Sequence, residues 1–179
     1  MTPREIEEFR ALRATIQQRG TVRVWLFLAG MVAWAAATIA TAALAALPVA
    51  TLLPLLLLAA GFEAVFSLHT GVERIGRYLQ VFYDDGESAS PAREWERTAM
   101  AYGRAHPGSG SDPLFSLFFI VAAVLNFVPV ILAEPVQIEV IVVGAVHLIL
   151  VARILIGHHA SSGQRARDLE RFQRIKQAP

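Results

Sequence analysis

Three sets of side chains in this sequence are of types that could do chemistry. The first is Glu63, Ser67 and Thr70, followed by Arg74 and Arg77. At the helical turn of ~100° per residue, all five fall within about 40° of one line. A carboxylate at the deep end of such a stripe, with guanidinium groups at its mouth, would suit a hydrated path for an ion or a proton. The same pattern suits a packing seam, in which the hydroxyls satisfy backbone groups and the carboxyl is neutral or hydrogen-bonded. The seam asks less of the sequence, because one carboxylate within reach of the membrane boundary is no chain of proton carriers.

The second set is Asn126 and His147, each near the middle of an apolar stretch. Either could hydrogen-bond to Glu63 or to the other. A Glu–His pair in a low dielectric has a shifted proton affinity, the physical basis of a relay or pH gate. The plainer use of these groups is as hydrogen bonds between helices.

The third set is His69 and Glu73, four apart on one helix face, with His158 and His159 at the same expected depth. Imidazoles and a carboxylate near one plane could bind zinc or iron. No HExxH, repeated HxxxH or ExxH pattern accompanies them, and adjacent histidines cannot both point the same way along a helix. Interfacial histidines touching headgroups and helix C-terminal carbonyls are the competing reading. The chain has no Cys, which excludes disulfides, thiolate metal sites and a Cys nucleophile. It has no GxSxG, Walker loop or GxGxxG, and no motif calls for a cofactor.

These residues must be positioned by four apolar stretches, about Val24–Ala46, Val49–Leu68, Leu114–Ala133 and Val136–Gly157. Each approaches the ~20 apolar residues needed to cross ~30 Å of hydrocarbon. The 16 Lys and Arg residues all fall before the first stretch, between the second and third, or at the end of the fourth and beyond. Arg19, Arg23, Arg74, Arg77 and Arg153 are the anchors nearest the stretches. The connections around Leu47–Pro48 and Glu134–Pro135 carry no basic residue. Basic residues are retained on the cytoplasmic side, so the sequence predicts a bacterial inner-membrane protein with both termini in the cytoplasm. The first stretch is too long for a signal-peptide core, despite the cleavage-like Ala43-Leu44-Ala45, and acidic residues precede it.

The expected fold is all-α. Four transmembrane helices form two antiparallel hairpins, with amphipathic cytoplasmic helices attached. The segments run 1–23 (N-terminal helix), 24–68 (first hairpin), 69–113 (cytoplasmic extension and loop), 114–157 (second hairpin) and 158–179 (C-terminal helix). Thr2, Pro3 and Glu5 form a capping-box start. Gly20-Thr21 and Ser161-Ser162-Gly163 read as breaks. The second span should continue to about Tyr83, with a turn over 84–90, a short helix over 92–102 and a loop to Asp112-Pro113. Three apolar stripes, Ile6–Ile16, Val72–Phe82 and Ala166–Ile175, are placed to pack together below the membrane or on a partner. Phe27, Phe115, Phe118 and Phe119 read as an inner aromatic belt with Trp25, and Trp34 as a packing residue. Glu139 suits a helix N-terminus, and Glu134 an outer mouth if the protein were a channel.

The function that asks least of this sequence is an integral membrane scaffold or accessory protein acting through its cytoplasmic helices. The alternative is a small oligomeric ion channel or transporter lined by the Glu63 stripe. A metal-dependent membrane enzyme is the second alternative. The expected partners are the lipid bilayer, a second copy of the chain and a cytoplasmic protein. No basic-aromatic patch points to nucleic acid.

Overall fold

A computed structural model describes residues 2–42, 47–83, 98, 102, 105, 112–133 and 136–178, with the side chain of Ser162 left out. Most of the described residues are helical and none lies in a strand. Four helices carry them: α1 (Pro3–Ala42), α2 (Leu52–Tyr83), α3 (Ser116–Leu132) and α4 (Gln137–Gln177), with a 3-10 turn at Pro48–Thr51 leading into α2. Three of them, α1, the turn with α2, and Gln137–Ser161 of α4, are long and apolar enough to cross a membrane. The fourth, α3, is apolar but only 17 residues long, about 25 Å at 1.5 Å per residue.

Local chemistry accounts for the start of α1. The Glu5 amide donates to Thr2 Oγ1 at 3.3 Å, and the Thr2 amide donates to Glu5 Oε2 at 2.6 Å. Two otherwise orphaned donors are thus satisfied, as the capping box requires. The expected break at Gly20-Thr21 is absent: α1 runs through it, and Thr21 Oγ1 donates to the Gln17 carbonyl. The expected hinge at Ser161-Ser162-Gly163 is absent too, since α4 continues to Gln177. Glycine in a helix interior costs only about 1 kcal/mol, and packing of both helix ends against α2 outweighs that. The third apolar stretch begins as a helix at Ser116 rather than Leu114. The expected turn over 84–90, the loop over 103–111 apart from the helical Ala105, the Glu134–Pro135 turn and Ala43-Leu44-Ala45 lie outside the described residues. So does most of the expected helix over 92–102.

The core follows a 3-4 spacing. Leu55, Leu58, Phe62, Val65 and His69 are buried on α2, and Val143, His147, Leu150, Ile154 and Gly157 on α4. This rhythm puts one stripe of each helix on the shared seam. Ring contacts fix the register. Phe27 of α1 stacks on Phe115 at 4.2 Å and meets Phe119 edge-on, while Phe119 also meets Phe62. Phe119 is therefore core, not the interfacial belt expected for it. Trp25 stays largely exposed. A Cβ on Gly30 would lie 3.9 Å from the Gly61 Cα, so α1 and α2 touch there almost backbone to backbone, the role small residues play between helices.

Pairings along the helices set their directions. Phe9 meets Tyr83 and Arg23 meets His69, so α1 and α2 run oppositely. Glu63 meets Arg153 and Glu73 meets Arg165, so α2 and α4 run together. Asn126 meets His147 and Ser116 meets His158, so α3 opposes α4. One end of the bundle accordingly gathers the start of α1 and the ends of α2 and α4, and most of its described charge.

Candidate functional site

The structure divides the expected intramembrane polar site in two. Asn126 and His147 meet inside the bundle, whereas Glu63, Ser67 and Thr70 lie on the other side of α2's packing face.

Inside, every polar atom of the Asn126 side chain is used. Its Nδ2 donates to the Thr51 carbonyl at 2.9 Å and to His147 Nε2 at 3.0 Å, and its Oδ1 accepts from Trp34 Nε1 at 3.4 Å. His147 Nδ1 lies 2.8 Å from the Val143 carbonyl. A carbonyl can only accept, so Nδ1 carries the proton, Nε2 is the acceptor, and the ring is neutral. Phe127 covers the ring edge-on at 5.0 Å. One amide thus ties α1, the 3-10 turn, α3 and α4 together, and Glu63 takes no part. Beside it is a cavity of about 20 Å³ bordered by Thr38, Thr41, Thr51 and Asn126. That is room for about one water. The three threonine hydroxyls donate to Trp34, Ala37 and Pro48 carbonyls, leaving oxygen lone pairs for the cavity.

On the outer side of α2, Glu63 and Ser67 are exposed and Thr70 is half-buried. Arg153 of α4 reaches across to Glu63, with Nε to Oε1 at 2.7 Å and Nη2 to Oε2 at 2.8 Å. Its guanidinium lies over the Phe62 and Phe66 rings at 5.6 and 4.9 Å. Gly157 makes room, since a Cβ there would sit 2.9 Å from Arg153 Nη1 and 3.1 Å from Phe62. Further along the stripe, Arg74 pairs with Asp168 at 3.8 Å, and Arg77 with Glu73 at 3.1 Å. Thr70 donates to the Ser67 carbonyl. The stripe is a row of closed pairs and local hydrogen bonds.

The four residues considered for a metal are not assembled around a common point. His69 Nδ1 accepts from Arg23 Nη1 at 3.1 Å. Glu73 is held by Arg77 and Arg165. His158 Nδ1 faces Asp112 at 3.6 Å and Ser116 Oγ at 3.2 Å. Among the described residues no group of three or more His, Asp or Glu side chains could hold a metal ion. His159 adjoins His158 but is turned by one helical step, as adjacent positions must be.

Asp112-Pro113 reads in the sequence as the start of the third span, but nothing there marks Asp112 or Ser116 as a partner of His158. Asp112 accepts from the Leu114 amide at 2.9 Å and the Ser116 amide at 2.6 Å. Partial burial works to raise its carboxyl pKa, but these two amides, the Ser116 hydroxyl and His158 together hold it below the usual range. Ser, His and Asp are together here without catalytic geometry: serine and aspartate both address Nδ1, so no base lies between nucleophile and orienting acid.

The charged end forms a third cluster. The Tyr78 hydroxyl donates to Glu8 at 3.0 Å. Tyr78 and Phe82 both meet Phe172 edge-on, Phe9 meets Tyr83, and Lys176 Nζ donates to the Val81 carbonyl at 2.7 Å. The C-terminal stripe differs from expectation. Asp168 is buried and Leu169 and Phe172 half-buried, while Ala166 and Ile175 face outward.

Comparison with protein-family models, curated proteins and solved structures found no match to this chain.

Proposed function

We propose that the protein is an integral membrane scaffold or accessory protein whose working part is the charged end of the bundle. The observation that carries this is the continuation of α1, α2 and α4 as unbroken helices into a shared aromatic and ionic cluster around Phe9, Tyr78, Phe82 and Phe172. Chain beyond a membrane span that served only as a tether would not need such packing. Its outer faces, with Arg167, Arg171 and Ile175 exposed, are what a partner would read.

In this proposal α3 is the fourth span, and the chain forms two antiparallel hairpins in a bacterial inner membrane. The distribution of basic residues supports both termini being cytoplasmic. The oligomeric channel is the second reading, favoured by the outward placement of Glu63 and Ser67, which a neighbouring copy could face. The closed Glu63–Arg153 pair weighs against it, since a conducting carboxylate must be free to exchange its partner.

Native mass spectrometry from mild detergent, followed by ion flux in liposomes, separates the two. The scaffold predicts a monomer or dimer and no flux above empty liposomes. A ring-sized homo-oligomer whose flux disappears in Glu63→Gln would overturn it in favour of the channel.

A further inference from the structure

We infer that Arg19 and Arg23 of α1, set against Gly71 and His69 of α2, form a binding site for the phosphate of an anionic phospholipid. Their neighbours show the contrast. At the same end of the bundle Arg153 is matched by Glu63, Arg77 and Arg165 by Glu73, and Arg74 and Arg171 by Asp168. Arg19 and Arg23 have no ion pair among the described residues. Glu73 acts on Arg23 only through space, its oxygens being held by two other arginines.

Both guanidinium groups are nevertheless placed. Arg23 donates Nη1 to His69 Nδ1 at 3.1 Å, and its Nε is enclosed with no acceptor. A Cβ on Gly71 would lie 2.6 Å from Arg19 Nη1, so the guanidinium rests in the notch left by the missing side chain. Arg19 and Arg23 are four apart and share one face of α1. Neither guanidinium has a carboxylate in contact, Glu73 reaching Arg23 only through space, and a phosphodiester could accept from both. The next turn exposes Val22, Trp25 and Leu26, an apolar surface and an interfacial ring for the attached acyl chains. A free phosphate would use the arginines but not that surface.

The inference rests on the proposal that this end lies at the cytoplasmic headgroup plane, where anionic lipids attract basic side chains. The test is native mass spectrometry of the full-length protein in mild detergent, titrated with phosphatidylglycerol, phosphatidylcholine or inorganic phosphate. Phosphatidylglycerol should be retained at least tenfold better than phosphatidylcholine. Arg19→Gln with Arg23→Gln should lower that retention about 30-fold, at ~1 kcal/mol per basic residue. Arg10→Gln with Arg174→Gln removes the same charge elsewhere and should leave retention unchanged. Gly71→Ala keeps every charge, displaces only the end of a flexible side chain, and should weaken retention severalfold.

Equal retention by the wild type and the Arg19/Arg23 variant overturns the site. So does equal loss in the Arg10/Arg174 control or no effect of Gly71→Ala, either of which means diffuse charge. Inorganic phosphate displacing the lipid at millimolar concentration overturns the lipid assignment in favour of a free anion. Recovery of the chain from the aqueous fraction without detergent overturns the membrane placement itself, whatever the lipid result.

Discussion

Arg153 and Glu63 offer the sharpest energetic test of where this bundle sits. Their contacts of 2.7 and 2.8 Å form a two-point fork, and the side chains are 36% and 50% exposed on the outer surface. If that surface faces hydrocarbon, removing one partner leaves a charge in lipid, at about 3 kcal/mol on insertion scales. Coulomb's law gives a similar size, about 4 kcal/mol for charge centres ~4 Å apart at an effective dielectric of ~20. Glu63→Gln and Arg153→Gln should each destabilise the fold by about 3 kcal/mol. The double variant leaves no charge behind. Neutralising both partners also removes the cost of holding two charges out of water, so the double variant should cost no more than a single variant, about 3 kcal/mol rather than the additive ~6. The resulting coupling of about 3 kcal/mol is measurable as a double-mutant cycle of unfolding in mild detergent, followed by circular dichroism. The exposed Arg174–Glu170 pair serves as the reference for salt, since a water-facing pair is largely screened. A Glu63–Arg153 coupling below about 0.5 kcal/mol, or one that salt removes as readily as the reference, would refute the reasoning.

Two further outcomes follow from the interior and the α3 start. Asn126→Leu removes three hydrogen bonds that join helices. At ~0.6 kcal/mol each it should cost about 2 kcal/mol, and Asn126→Leu with His147→Leu should cost less than the sum of the single variants in the same unfolding assay. Asp112 is held below its ordinary carboxylate pKa, so its contribution is fully present above the unfolded-state value and is lost as pH falls through the lower folded value. Acid unfolding of Asp112→Asn should therefore lack part of the loss that the wild type shows in that window, as followed by thermal unfolding across acidic pH.

Some of this was legible in the sequence for physical reasons. Apolar length and the Thr2–Glu5 cap are local properties, and they gave the helices and the start of α1. Asn126 and His147 are legible as candidates for each other or for Glu63, because polar groups within apolar stretches have few other places to go; choosing the pair needs the register of α3 on α4. Gly20 and Ser161-Ser162-Gly163 are weak local signals of interruption that packing against α2 overrides. The Arg153–Glu63 pair was out of reach, since it needs the relative rotation and register of α2 and α4. Helical spacing puts Glu63 on one face with Ser67 and Thr70, but a face does not say which side of the bundle it meets. The His158 contacts likewise depend on how α3 opposes α4.

The absence of a break in α1 has a mechanical consequence. A 40-residue helix is a rod about 60 Å long, and at Gly30 it bears on Gly61 almost backbone to backbone. That contact divides the rod into arms of roughly 40 Å and 18 Å. Both arms are docked, by Phe9 on Tyr83 and by Trp34 on Asn126, so α1 can shift only as one stiff rod. A partner displacing its Phe9 end would have to carry the Thr38–Thr41 end with it, and so the wall of the threonine-lined cavity.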